Sequence, residues 1–85
     1  MTTKAPYPED YIQSCREHFG TIIRKRREEK GYSQEELASI MDAQRSTISK
    51  IEHGKLGISI DYIVKFAWYL DFDIELLPKE SYKEK

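Results

Sequence analysis

Cysteine is nearly absent from this sequence: Cys15 stands alone, so no disulfide can form within the chain. Nothing at the N-terminus resembles a charged n-region followed by an apolar h-region, and a reducing, cytoplasmic setting is expected. Long apolar runs are also missing. The longest, Phe66 to Leu70, includes the polar-tipped Tyr69 and falls far short of the roughly 20 residues needed to span a bilayer, so no membrane segment is expected. Histidine occurs only as His18 and His53, and there is no glycine-rich phosphate loop, paired-carboxylate signature or other catalytic motif. An enzyme is therefore not expected, and no cofactor is. Cys15 and His18 have the spacing to share a helix face, but a zinc site needs four ligands and no second pair exists, so no metal is expected either. Nor is there an excess of one charge. Fourteen Lys and Arg stand against 15 Asp and Glu, a balance that by itself argues against a polyanionic partner.

What is present is enough apolar material for one small domain. Hydrophobic residues make up 39% of the 85 positions and aromatics 12%, too much for a wholly disordered chain. A chain of this length buries only about 60 to 65% of its unfolded surface, so its core is thin and help from a partner surface is expected. The charges are unevenly placed. Between Arg16 and Lys55 nine Lys and Arg face seven Asp and Glu, whereas both flanks are acidic. The run Arg24, Lys25, Arg26, Arg27 reads, on charge alone, as a solvated helix face.

Along the chain, residues 1–8 carry two prolines and read as a flexible lead-in. From Glu9 the pattern is helical: Tyr11, Ile12, Cys15, Phe19, Ile22 and Ile23 recur at three- and four-residue spacings until Gly31, with Gly20 a point where the helix can divide. Ser33 and Glu36 have capping-box spacing, and Tyr32 and Leu37 that of a hydrophobic staple. The helix they open buries Leu37, Ala38, Met41 and Ile40 and stops near Asp42. A second short helix follows at once. Its Ile48 and Ile51 fall on one side, while Arg45, Ser46, Ser49, Lys50 and His53 fan across the other, and Gly54 ends it in the left-handed conformation.

Ser59 caps a further helix with two apolar stripes. Ile60, Ile63, Val64, Ala67 and Leu70 form the first, read as the core face; Tyr62, Phe66 and Tyr69 form the second. A second apolar side in so small a domain predicts a subunit interface, unless the N-terminal helix covers it. After Leu70 the period changes to two: Phe72, Ile74 and Leu76 alternate with acidic residues until Pro78, as in a short strand. With no second strand in the chain, pairing with the same strand of another copy is expected, and Tyr62, Phe66, Tyr69, Phe72, Ile74 and Leu76 are the expected dimer interface. Residues 79–85 read as a solvated tail.

Two short helices joined by a tight turn, the second with a polar outward face, match the helix-turn-helix that lays its second helix in the DNA major groove. The stretch IIRKRREEKGYSQEELASIMDAQRSTISKIEHGK, residues 22 to 55, resembles the Cro/C1 (XRE) helix-turn-helix family, and GISIDYIVKFAWYLDFDIELLPK resembles its HipB-like antitoxin branch, in which a final strand pairs between subunits. The resemblance covers about residues 19 to 79. It implies an all-α, four- to five-helix, lambda-repressor-like domain over residues 9–70, with the helix-turn-helix core at about 33–53 and a dimerisation strand at 71–78. It further implies a sequence-specific regulator of double-stranded DNA, a repressor acting as a homodimer on a palindromic operator, with a toxin protein as a further partner. A dimeric protein-interaction module that has lost DNA binding is the competing reading.

Carried over by position, the resemblance gives Gln34 a phosphate contact through its amide. Gln44, Arg45, Ser46, Ser49, Lys50 and Lys55 become the remaining DNA-facing residues, with Lys50 and Lys55 serving either bases or phosphates. It also implies a buried ion pair between Arg27 and Glu52. Three positions depart from the family pattern. Arg26 stands where an apolar residue is usual, and either competes for Glu52 or snorkels outward. Asp42 replaces a glycine in the turn, and Gln44 replaces the Ser or Thr that would cap the recognition helix.

Overall fold

Four helices follow one another, α1 (Glu9–Glu29), α2 (Gln34–Met41), α3 (Arg45–Glu52) and α4 (Ile60–Leu70), in a computed structural model that describes residues 8–78. The expected lead-in, apart from Pro8, and the expected tail at 79–85 lie outside the described residues. None of the four helices is long and apolar enough to cross a membrane.

Helix α1 runs unbroken through Gly20. That glycine is a contact point, not a division: a β-carbon built on it would lie 2.6 Å from the carbonyl oxygen of Glu52 and 2.8 Å from its carbonyl carbon. Glycine in mid-helix costs about 1 kcal/mol relative to alanine, and here it lets α1 cross the end of α3 at backbone distance. The helix closes at Gly31, whose φ of 83° is left-handed.

The start of α2 is set by a reciprocal capping box. The Glu36 amide donates to Ser33 Oγ at 3.0 Å, and the Ser33 amide donates to Glu36 Oε1 at 2.8 Å. Asp42 ends α2 with φ 56°, a left-handed turn that a short acidic side chain tolerates better than most, and the Ala43 amide returns to the Ala38 carbonyl at 2.8 Å. This tight link brings α3 against α2.

The core is Ile23, Leu37, Ala38, Met41, Ile48, Ile51, Phe66 and Leu70. Two expectations need correction here. Ile40 and Ile22 lie at the surface, 38% and 47% exposed, and the faces of α4 are distributed differently from the two stripes read in the sequence. Phe66 is fully buried, so it is not available to an interface; Tyr62 and Tyr69 are half-buried against the core. The outward residues are Ile60, Val64 and Trp68, spaced four apart, with Trp68 78% exposed. Periodicity detects apolar faces on α4 but does not rank them, and packing against the other helices puts Phe66 in the core cluster.

Beyond α4 the backbone from Phe72 to Pro78 makes no ladder, and no strand occurs among the described residues. A strand exists only through the hydrogen bonds of a neighbour, and the other described residues of one copy offer none.

The carboxyl end of α4 is clasped by α1. Arg26 Nε donates to the Leu70 carbonyl at 2.7 Å and Nη2 to the Asp71 carbonyl at 3.0 Å, while Lys30 Nζ donates to Asp71 Oδ2 at 2.6 Å. Arg26 thus neither competes for Glu52 nor simply snorkels; it satisfies helix-end carbonyls. The hydrogen bond from Lys30, and next its charge, holds the Asp71 carboxyl below the usual carboxylate range. Because the folded value lies below the unfolded one, this contribution is complete above the unfolded value of about 3.9 and is lost as pH falls through the folded value. Asp71→Asn, which keeps tolerance of the left-handed φ of 59°, should melt below wild type at neutral pH. The gap should close as the solution is acidified, and a gap independent of pH would refute the role of the carboxylate.

Candidate nucleic-acid interface

Helix α3 is held from behind and open in front. Ile48 and Ile51 are buried, whereas Arg45, Ser46 and Lys50 are exposed and Ser49 is half-exposed on the opposite face. Gln44 occupies the N-cap in extended conformation with no side-chain cap bond, so its exposed amide is not consumed in holding the helix. At the other end the Lys55 amide returns to the Lys50 carbonyl at 2.8 Å across Gly54, whose φ is 70°. Gly54 is required twice over, since a β-carbon there would also meet the Glu17 backbone at 2.9 Å. The Gln13 amide donates to the Gly54 carbonyl at 2.9 Å, seating the turn on α1. Lys50 and Lys55 have no ion-pair partner among the described residues.

Behind this face lies a continuous chain of charge-assisted hydrogen bonds. Arg27 Nε donates to Glu52 Oε2 at 2.6 Å and Nη2 to Oε1 at 3.1 Å, a two-pronged contact between side chains whose residues are only 8% and 6% exposed. Arg27 Nη1 donates to the Tyr32 carbonyl at 2.7 Å, just ahead of the α2 cap. The hydrogen bond to Glu52 is the main cause that raises the Arg27 pKa above its ordinary value, against the opposing effect of burial, with the charges of Glu52 and Glu28 adding to it. Glu52 Oε1 also accepts from Gln34 Nε2 at 3.0 Å, and Gln34 Oε1 accepts from Arg45 Nη1 at 3.0 Å.

The order of the Gln34 amide is chemically forced. Its carbonyl must meet the guanidinium and its NH₂ the carboxylate, because the flipped amide would set donor against donor. Arg45, the first residue of α3, is thus oriented through Gln34 and Glu52 by a buried arginine in α1. The second amide hydrogen of Gln34 has no partner among the described residues.

The basic run at 24–27 is dispersed around one turn of α1. Arg24 pairs with Glu28 at 3.3 Å on the surface, Arg26 holds α4, Arg27 is buried, and Lys25 alone is simply solvated. Contacts between Gln34 and its neighbours in α3 leave no mark in sequence spacing, and the resemblance of residues 22–55 paired Glu52 only with Arg27. The outward row Ile60, Val64, Trp68 carried a usable signal, a strict spacing of four ending in a tryptophan.

A short helix presented by a capped helix and a tight turn, with polar side chains oriented outward from a buried anchor, defines a helix-turn-helix DNA-reading domain. Residues 23–77 match the family described as Helix-turn-helix, and the chain belongs to that family of DNA-binding transcriptional regulators. Among solved structures it is similar to the restriction-modification controller protein C.AhdI from Aeromonas hydrophila, with 35% sequence identity, a TM-score of 0.67, and coverage of 71% of this chain and 91% of that one. None of the curated proteins matches.

Proposed function

We propose that this protein is a sequence-specific repressor that reads a palindromic operator as a homodimer, with Arg45 as its principal base-reading residue. The observation that carries the reading is the hydrogen-bonded chain from Arg27 through Glu52 and Gln34 to Arg45, which aims a guanidinium outward from the first turn of α3. Such a group is suited to guanine O6 and N7; Gln44, Ser46 and Ser49 offer adaptable donors and acceptors beside it, and Lys50 and Lys55 supply charge toward the backbone. Titration of duplexes from its own promoter against salt tests this. Specific binding should weaken steeply as salt rises, through counterion release. Equal, negligible binding to promoter and unrelated duplex would instead favour the interaction module.

The dimer is supported by apolar surface that the other described residues leave exposed. Ile60, Val64 and Trp68 continue into exposed Ile74, Leu76 and Leu77, and a cleft of about 560 Å³ opens between α4 and residues 71–74. A second copy related by a twofold axis covers this surface and gives residues 72–76 a strand partner. Two recognition helices then lie about 34 Å apart, in successive major grooves. Trp68→Glu should convert a dimer into a monomer in light scattering at micromolar concentration; a variant mass equal to that of the wild-type dimer would exclude this face.

A toxin partner is the narrower reading, motivated by the resemblance of residues 56–79 to the HipB-like branch. The 35% identity to a restriction-modification controller protein supports control of restriction-modification genes instead, and the adjacent gene discriminates the two.

A further inference from the structure

On the side of α3 away from the polar fan, the N-terminal half of α1 and the loop after Gly54 border a half-open cavity of about 290 Å³. Its walls are nearly all carbon, from Ile12 and Phe19 of α1, Leu56 and Ile58 of the loop, and Ile51 from the inner face of α3. The cavity is small, just under the roughly 300 to 1,000 Å³ of ligand pockets. That size suits one ring with a short chain and is too little for a docked helix. The α1 residues that line it precede residue 23, where the family match begins.

One charge stands on its rim. Arg16 lines the cavity, and its Nη2 lies 3.6 Å from the place a β-carbon on Gly57 would occupy. It has no hydrogen bond or ion pair among the described residues. A planar guanidinium in that position has two donors set for a carboxylate, with apolar walls alongside for the body that carries it.

We propose that this cavity is a binding site for a small amphipathic carboxylate, an apolar body of about one ring whose anionic end is held by Arg16. The body rests on Ile51, so occupancy bears directly on α3, and operator affinity changes with it. That second limb rests on the DNA-binding reading; the binding limb does not.

The probe is 4-phenylbutyrate, with 4-phenylbutanol as its uncharged counterpart, titrated into the whole chain and followed by amide resonances. Saturable shifts confined to residues 11–19 and 51–58 are expected, with the acid bound about tenfold more tightly than the alcohol, as a charge-assisted contact requires. Arg16→Gln should remove that preference, and Ile12→Trp, which fills the cavity, should remove binding of both compounds. If circular dichroism shows Ile12→Trp unfolded, Arg16→Gln alone decides. Shifts that do not saturate, equal affinity for acid and alcohol, or perturbation at the α4 cleft would overturn the site. With the acid bound, operator affinity should shift about fivefold or more; an unchanged affinity overturns the coupling alone. Operator binding without ligand is measured separately, so failure there sinks the DNA reading and leaves the binding result standing.

Discussion

Arg27→Met should bring the domain close to unfolding. The substitution keeps much of the side-chain bulk but removes the only cation that contacts Glu52 among the described residues, a carboxylate in a residue 6% exposed whose remaining side-chain partner there is the neutral amide of Gln34. Removing one partner of a buried pair costs about 3 to 5 kcal/mol, because the survivor stays desolvated and uncompensated. Small domains have roughly 5 to 15 kcal/mol in total. For a chain of this size the melting temperature should fall by on the order of 20 °C. The Tyr32 carbonyl, which accepts from Arg27 at 2.7 Å, loses its donor as well.

The pair itself contributes much less than that cost. Arg27→Met combined with Glu52→Leu removes both charges together, and most of the lost stability should return. A single mutant within about 1 kcal/mol of wild type in urea denaturation would show that Glu52 finds water or another cation. The double mutant carries further information. It is expected to be folded yet poor in base discrimination, since Gln34 no longer has a carboxylate to hold it.

Arg45→Ala should weaken operator binding by about 1 to 3 kcal/mol and relax base preference at one position in each half-site. Gln34→Ala should reproduce much of that loss without removing any group that touches a base, because Arg45 Nη1 is held by Gln34 Oε1 at 3.0 Å. The two changes should therefore be less than additive, with a coupling of about 0.5 to 3 kcal/mol in the double-mutant cycle. Additive losses would instead mean that Gln34 acts solely on phosphate. The salt slope of Gln34→Ala stays near that of wild type in either case, because a neutral amide releases no counterion, so the double-mutant cycle is what separates them.

Much of this interface was legible in the residues themselves. Ser33 and Glu36 mark the start of α2, and Ile48 and Ile51 separate the inner from the outer side of α3, because a cap and a helical repeat are short-range properties. The resemblance of residues 22–55 to known helix-turn-helix proteins supplied the expected pairing of Arg27 with Glu52. Departures from that pattern were less informative. Asp42 takes the left-handed turn and Gln44 leaves the N-cap bond unmade, as their side chains dictate, but the task of Arg26 could not be read. Its partners are the carbonyls of Leu70 and Asp71, 44 and 45 positions away.

Apart from the continuity of α1 through Gly20, the sequence by itself determined where the helices begin and end and which side chains of α3 face outward, since those depend on neighbours within about one turn. Only the tertiary structure decided that Phe66 goes inward and Trp68 outward, that Gly20 is a crossing point, and that Gln34 joins Arg45 to a buried carboxylate. The physical reason is that burial and long-range hydrogen bonds depend on the shape left between elements, and α4, apolar on several sides, could satisfy its local rules in more than one orientation.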